Sequence, residues 1–230
     1  MDSVRRHPSA VLLFTQLVAV LLYPFMEGGG AGRELFAVVG IVIVGLVVLA
    51  VRASPGLTWV SVLLGLPATV LLLIQAVTGS GDLVAYSSAF QAVLYFYAAG
   101  ALIAYMLADH EVSRDELFAL GATFTLVAWA FADVYTVWQA IEPQSFIAAT
   151  DPRGDRSWME LLLLSFSTLS MVGLSDVVPV PAFARSLVMI EELLGLSYVA
   201  AVVSRLVGLS VMRRRRGRTG ANGLRSPEGG

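Results

Sequence analysis

A short apolar stretch and a glycine-containing segment behind it lie between two much longer apolar stretches. Residues 158–168 follow a polar loop, 142–157, and are apolar but too short to cross a bilayer. Gly173 and Asp176 come next. Irregular backbone at membrane depth is tolerated only where it is buried in protein or lines a water-filled cavity. The pattern therefore predicts a segment that enters the membrane and returns, with a pore at residues 170–176.

The surrounding sequence indicates a membrane protein. The chain has 230 residues, of which 57% are hydrophobic and 14% charged, with a mean hydropathy of +0.78. A soluble domain carries about 25% charged residues. A spanning helix needs about 20 apolar residues. We therefore expect an all-α integral membrane protein with six transmembrane helices and a re-entrant helix between the fifth and sixth. The predicted spans are 9–26, 34–52, 57–78, 84–108, 117–141 and 183–211.

The arginines predict how these spans are oriented. No lysine occurs, and the arginines before span one and after spans two, four and six lie on one side of the membrane. Positively charged loops stay in the cytoplasm, so both termini of this multi-pass protein are predicted to lie on the cytoplasmic side of the inner (plasma) membrane. The arginine run 213–216 is either a stop-transfer anchor or a contact with anionic membrane lipids. The arginines on this side include Arg5, Arg6, Arg52, Arg114 and Arg218.

Several classes of function are disfavoured by what the sequence lacks. There is no cysteine, so disulfides and thiolate metal sites are excluded, and no metal or cofactor is predicted. Span four carries no arginine, whereas a voltage sensor needs several arginines in one span. Both histidines, His7 and His110, lie outside the spans, so no serine–histidine pair can form within the membrane. The protein is therefore predicted not to be an enzyme, and nothing indicates nucleic-acid binding.

The stretch 168–179 carries five residues at an informative spacing: Thr168, Val172, Gly173, Asp176 and Pro179. The spacing resembles the selectivity filter of the potassium-channel superfamily, whose pattern runs roughly T-x-T-T-V-G-Y-G-D-x-x-P. From about residue 119 to residue 208 the chain resembles the bacterial two-helix pore module of that superfamily. Residues that carry this wider resemblance include Trp158, Ser165, Phe166, Glu191, Gly195 and Tyr198.

The resemblance implies a homotetramer that conducts monovalent cations, with K⁺ among the candidates. Each copy would contribute one filter strand, and the backbone carbonyls of residues 170–174 would replace the water shell of the ion. A pore helix ending near Leu169 would point its partly negative end at the cavity. Asp176 would form a ring that draws cations to the outer mouth, accept a hydrogen bond from the pore helix, or do both. The filter residues are Thr168, Ser170, Met171, Val172, Gly173, Leu174, Ser175 and Asp176.

Four of these filter residues differ from the family pattern, and the differences bear on ion selectivity. Ser175 stands where the family has a glycine, so it either adopts a strained left-handed conformation at about 1–2 kcal/mol or the backbone relaxes. Leu174 lacks the phenol that braces the filter in the family. Met171 replaces a hydroxyl with a thioether, a weak acceptor; Ser170 replaces a threonine. We therefore expect an atypical or weakly selective pore, and an apolar ring of Met171 could close it by dewetting.

The sixth span carries an apolar stripe and a glycine, and each of these features has two possible roles. The stripe either lines the inner cavity or packs on span five. Gly195 stands where the family has its gating hinge, and a glycine in a membrane helix can equally serve close helix packing. The residues of the stripe, at three- and four-residue spacing, are Leu196, Val199, Val203 and Val207.

Three acidic residues within the spans are candidates for pH-sensitive conduction. Asp133, in the outer half of span five, is either an ion-linked site or pairs with a tyrosine or arginine near the outer boundary. Glu191 and Glu192 point about 100° apart on their helix, so they cannot share a face. One is expected to bond the pore-helix hydroxyls of Ser165, Ser167 or Thr168. The other is expected to meet water or a neighbouring subunit.

These observations predict three regions and leave three functions open. The regions are a four-helix membrane region (1–115), a pore domain (116–211) and a disordered basic cytoplasmic tail (212–230). The leading hypothesis is a tetrameric cation channel with an altered filter. The second is a non-conducting or regulatory membrane protein on a channel scaffold. The third, an intramembrane enzyme using Ser175 and Asp176, lacks a base within reach.

Overall fold

The computed structural model describes residues 8–26, 29–52, 56–79, 81–108, 114–149 and 151–223. Seven α-helices make up most of this part of the chain, with one 3₁₀ turn and two short strands. The helices are α1 Pro8–Leu22, α2 Gly29–Arg52, α3 Thr58–Thr78, α4 Val84–Ala108, α5 Arg114–Ile141, α6 Trp158–Leu169 and α7 Ala182–Gly223. The 3₁₀ turn is Tyr23–Phe25, and the strands are β1 Phe146–Ala148 and β2 Val177–Pro179.

Five of the described helices are long and apolar enough to cross a membrane, which agrees with an all-α membrane protein. They correspond to predicted spans two to six. The first predicted span forms a shorter apolar helix, Ser9–Phe25, with Pro24 inside its final 3₁₀ turn. Proline lacks the N–H that would continue an α-helix, which accounts for the change of geometry there. Whether the first predicted span also crosses the membrane, which would make six spans, therefore remains a prediction.

Helix α5 lies at the centre of the bundle and packs against α1, α4 and α6. Its buried surface is rich in small residues, which let neighbouring helices approach closely. At Gly121, for example, an added Cβ would lie 2.8 Å from Cδ2 of Leu13 in α1. The first helix is thereby seated along α5. The fully buried alanines of α5 are Ala119, Ala122, Ala128, Ala130 and Ala132.

A two-stranded antiparallel ladder follows the filter segment. Strand β2 pairs with β1, which lies inside the loop predicted from sequence, so that Ile147 opposes Val178 and Phe146 opposes Pro179. The N–H of Val180 donates to the carbonyl of Ser145 at 2.9 Å, which marks the neighbouring pair as hydrogen-bonded. Hydrogen-bonded and non-bonded pairs alternate, so Pro179 occupies a position that needs no N–H. The ladder ties the outer end of the filter segment to the loop behind α5.

The last helix corrects the predicted tail. Helix α7 continues past residue 211 and ends at Gly223, so residues 212–223 are helical rather than disordered. Arginine is a favourable helix former, and a run of four extends a helix that is already nucleated. Residues 224–230 of the predicted tail lie outside the described residues.

Candidate ion-conduction site

The beginning of α6 is fixed by a capping box and by the loop before it. Ser157 Oγ accepts the N–H of Glu160 at 3.3 Å, and Glu160 Oε2 accepts the N–H of Ser157 at 2.7 Å. Gln139 of α5 accepts the N–H of Arg156 at 2.9 Å and donates to its carbonyl at 3.0 Å. The capping box satisfies N–H groups at the helix start. The pore helix is therefore anchored to α5 at its first turn.

The loop before α6 is also organised by an exposed carboxylate. Asp151 Oδ1 accepts the N–H groups of Gly154 at 3.1 Å and Arg153 at 3.3 Å, and these bonds hold the pKa of Asp151 below its usual value. The buried Arg156 guanidinium lies 3.5 Å from Asp151 Oδ2 and 2.9 Å from Glu160 Oε1. The loop therefore stays folded at neutral pH, where Asp151 is charged.

At the other end of α6 the filter segment folds back onto the helix. The N–H groups of Val172 and Gly173 both donate to the carbonyl of Ser167, at 3.0 and 3.2 Å. The N–H of Met171 donates to Thr168 at 3.0 Å. These bonds use the carbonyls that an α-helix leaves unpaired at its end. No donor in the described part of the chain bonds the backbone carbonyls of residues 171–174. Those carbonyls therefore keep unused acceptor capacity in a single copy of the chain.

The strained backbone conformation in the filter segment occurs at Met171, where the sequence did not predict it. Gly173 has φ 69°, as a glycine can adopt at little cost. Met171 has φ 58°, one of two positive values among described non-glycine residues, whereas Ser175 is not among them. Ser175 Oγ instead accepts the N–H of Val177 at 3.1 Å. Of the two outcomes expected at Ser175, the backbone therefore relaxes, and a cost of about 1–2 kcal/mol falls on Met171.

The filter side chains face outward in a single copy of the chain. Met171 and Leu174 are 51% and 77% exposed, and Asp176 is exposed as well. Within the described residues no donor of α6 bonds Asp176, so its exposed carboxylate is not held against the helix. Apolar side chains that are this exposed in a single copy are usually covered by a membrane or by another protein surface.

The predicted stripe on α7 is also uncovered. Leu196, Val199 and Val203 are 52%, 39% and 52% exposed, so in this chain they do not pack on α5. The side chain of Val207 lies outside the described residues. Glu192 is exposed on the same helix. This arrangement agrees with a face that lines a cavity or meets another subunit.

Glu191 joins three elements of the pore module. It is fully buried, and its two oxygens accept hydrogen bonds from Ser165 Oγ of α6 and Tyr135 Oη of α5. The sequence predicted a bond from one of these glutamates to the pore-helix hydroxyls, and Ser165 supplies it. Ser165 Oγ also lies 2.8 Å from the carbonyl of Ala128. The hydrogen bond from Tyr135 was not predicted, because Tyr135 lies 56 residues from Glu191 in the sequence.

Gly195 marks the closest approach between α7 and the pore helix. A Cβ at this position would lie 2.9 Å from the carbonyl carbon of Leu169 and closer still to its oxygen. Helix α7 is continuous through Gly195. The structure therefore gives this glycine a packing role, which does not depend on a hinge.

Asp133 is buried and holds a tryptophan rather than the tyrosine or arginine expected from sequence. Its Oδ1 accepts the Nε1–H of Trp158 at 3.0 Å. Its second oxygen, Oδ2, is buried and has no hydrogen-bond partner among the described residues. No tyrosine or arginine donor was needed, because the indole supplies the N–H inside the bundle. The arrangement favours the structural interpretation of Asp133 over an ion-linked site.

Comparison with known protein families decides the class of this fold. A family model described as an ion channel matches residues 92–210, from within α4 to within α7, which is more than half of the chain. The chain belongs to the potassium-channel superfamily. Comparison with curated proteins and with solved structures finds no match. The matched region contains α5, α6, the filter segment and most of α7, and this superfamily is a class of non-enzymatic transport proteins.

Proposed function

We propose that the protein is a homotetrameric cation channel of the plasma membrane, with cytoplasmic termini and an atypical, weakly selective filter. The observation that carries the proposal is the short apolar helix α6 between two candidate spans, which ends in a segment whose carbonyls at residues 171–174 have no donor in the described chain. Four such segments around an axis could replace the water shell of a monovalent cation. The exposed apolar residues of α7 and of the filter support the tetramer, because a second copy would cover them.

Weak selectivity follows from the substitutions in the filter. A thousand-fold preference for potassium over sodium needs about 4 kcal/mol. Met171 carries a thioether instead of a hydroxyl and occupies a strained conformation, and Leu174 brings no phenol. The β1–β2 ladder braces the outer end of the filter in place of that phenol. A brace through two short strands holds residues 177–179 and leaves residues 171–174 less constrained.

Reconstituted tetramers are expected to pass monovalent cations, and Gly173→Ala is expected to abolish that flux. The φ of +69° at Gly173 costs an alanine about 1–2 kcal/mol in each subunit, and this cost adds to the strain already present two residues earlier at Met171, so the doubly strained filter should collapse. Cation uptake into liposomes measures the effect. Gly45→Ala is the matched control, because a Cβ there meets nothing within 4 Å. Absence of flux in the wild-type protein at several pH values would contradict the proposal.

The second candidate is a non-conducting or regulatory protein on the same scaffold. The apolar, exposed side chain of Met171 favours it, because a ring of four thioethers could dewet the path. If that ring blocks the pore, Met171→Gly should raise cation flux at least about tenfold, since glycine removes both the apolar ring and the strain. Met171→Leu keeps an apolar ring of similar volume and serves as the control. Equal flux in the two variants would exclude a block at Met171.

A further inference from the structure

The first residue of the pore helix is enclosed by aromatic rings from other elements. The ring of Trp158 stacks on Tyr23 at a centroid distance of 5.9 Å and an interplanar angle of 28°. Phe36 of α2 and Trp129 of α5 meet the same ring edge-on, at 6.1 and 5.2 Å. Tyr23 follows α1, so both α1 and α2 reach the pore helix at this point. Aromatic pairs in this geometry contribute specific packing beyond the area that they bury.

The polar edge of Trp158 is fixed as well. Its Nε1–H donates to Asp133 Oδ1 at 3.0 Å. Asp133 is 2% exposed, so water cannot replace the bond if it is lost. The orientation of Trp158 is thus set by three elements, the 3₁₀ turn after α1, α2 and α5, and the first two belong to the region ahead of the pore module.

A displacement of Trp158 would be transmitted to the filter through the short rigid helix α6. Nine residues at 1.5 Å rise place Ser167 about 14 Å along α6 from Trp158. The carbonyl of Ser167 receives the N–H groups of both Val172 and Gly173. A tilt or rotation of α6 at its first residue would therefore move the acceptor that holds the filter backbone.

We infer that Trp158 is a positioning residue through which the peripheral helices set the geometry of the filter. Tyr23 and Phe36 fix its ring, and Asp133 fixes its N–H. The region ahead of the pore module, for which the sequence offered no motif, is then a part of the conduction machinery. The inference rests on the proposed function, since it says how that pore is held in shape.

The variants separate positioning from general stability. Tyr23→Ala removes the stacked ring, and Phe25→Ala is its matched control, because both are aromatic residues of one 3₁₀ turn and are 8% and 73% exposed. Asp133→Leu removes the acceptor of the Trp158 N–H. Asp133→Asn keeps a side-chain oxygen that can accept it, so it serves as the conservative rescue.

The test uses the full-length protein in liposomes and measures three quantities per folded tetramer. These are the K⁺/Na⁺ permeability ratio, the cation flux and the amide exchange of residues 158–176. We expect Tyr23→Ala and Asp133→Leu to change the permeability ratio or the flux, and to raise exchange at Val172 and Gly173, by about fivefold to tenfold, a range that fits one lost aromatic pair in the first variant and one lost buried hydrogen bond in the second. Phe25→Ala and Asp133→Asn should match the wild type in all three.

Two outcomes would overturn parts of the account separately. If Tyr23→Ala and Asp133→Leu only reduce the yield of folded protein, with permeability and exchange equal to Phe25→Ala, Trp158 is an ordinary packing residue and the inference is wrong. If the wild-type protein passes no cations, the proposed function is wrong. The exchange of Val172 and Gly173 then still decides whether Trp158 positions the filter segment.

Discussion

Glu191→Ala is expected to abolish tetramer assembly and cation flux, whereas Glu191→Gln is expected to retain both. Alanine leaves the buried hydroxyl of Tyr135 without its partner, which costs about 1–3 kcal/mol, and leaves Ser165 Oγ only the Ala128 carbonyl. It also opens a cavity where α5, α6 and α7 meet. Size-exclusion chromatography of the detergent-extracted protein and liposome flux measure the two effects.

The glutamine variant is the informative control for this network. Ser165 Oγ has one proton and lies near two acceptors, the Ala128 carbonyl and Glu191, so the network has room for a donor at position 191. A glutamine can donate to Ser165 and accept from Tyr135. Failure of Glu191→Gln alongside Glu191→Ala would mean that the charge of Glu191, not its hydrogen bonding, holds the three elements together.

Gly195→Ala is expected to lower the thermal stability of the tetramer and to reduce flux by at least about tenfold. The new Cβ would lie 2.9 Å from the carbonyl carbon of Leu169, which is backbone and cannot rotate away. Overpacking of this kind costs about 1–3 kcal/mol, and a tetramer repeats it four times. The displaced atom lies at the end of the pore helix, next to the filter, so conduction should suffer together with stability.

Gly100→Ala is the control for Gly195→Ala. It also places an alanine inside a membrane helix, and a Cβ there meets nothing within 4 Å. Thermal unfolding of the tetramer and liposome flux should leave this variant close to the wild type. If Gly195→Ala behaves in the same way, the contact between α7 and the pore helix is looser than the distances indicate, and the packing role of Gly195 is wrong.

The helices could be located from the sequence, because length and apolar composition determine which segments can cross a membrane. Predicted spans two to five agree with α2 to α5 to within a few residues at most ends. The short helix α6 followed from an apolar run too short to span, and its re-entrant placement stays a prediction. The bond between Glu191 and Ser165 was foreseeable too, because a buried carboxylate needs donors and the pore helix carries hydroxyls nearby.

Contacts between distant parts of the chain could not be predicted from segment length and composition. No sequence pattern indicated that Tyr135 shares Glu191, that Trp158 bonds Asp133, or that a loop strand pairs with residues 177–179. Each depends on how two elements pack, which composition and periodicity do not determine. The strain at Met171 instead of Ser175 has the same origin, because the hydrogen bonds to Ser167 decide which residue turns.

The most direct test is the ion density along the axis of the assembled protein at high resolution, in potassium and in sodium. The account predicts four filter segments around one axis, with density for either cation at the level of the residue 171–174 carbonyls and only a small difference between the salts. A structure in which residues 158–176 lie on the lipid-facing exterior, or a single subunit that shares no axis with others, would contradict it.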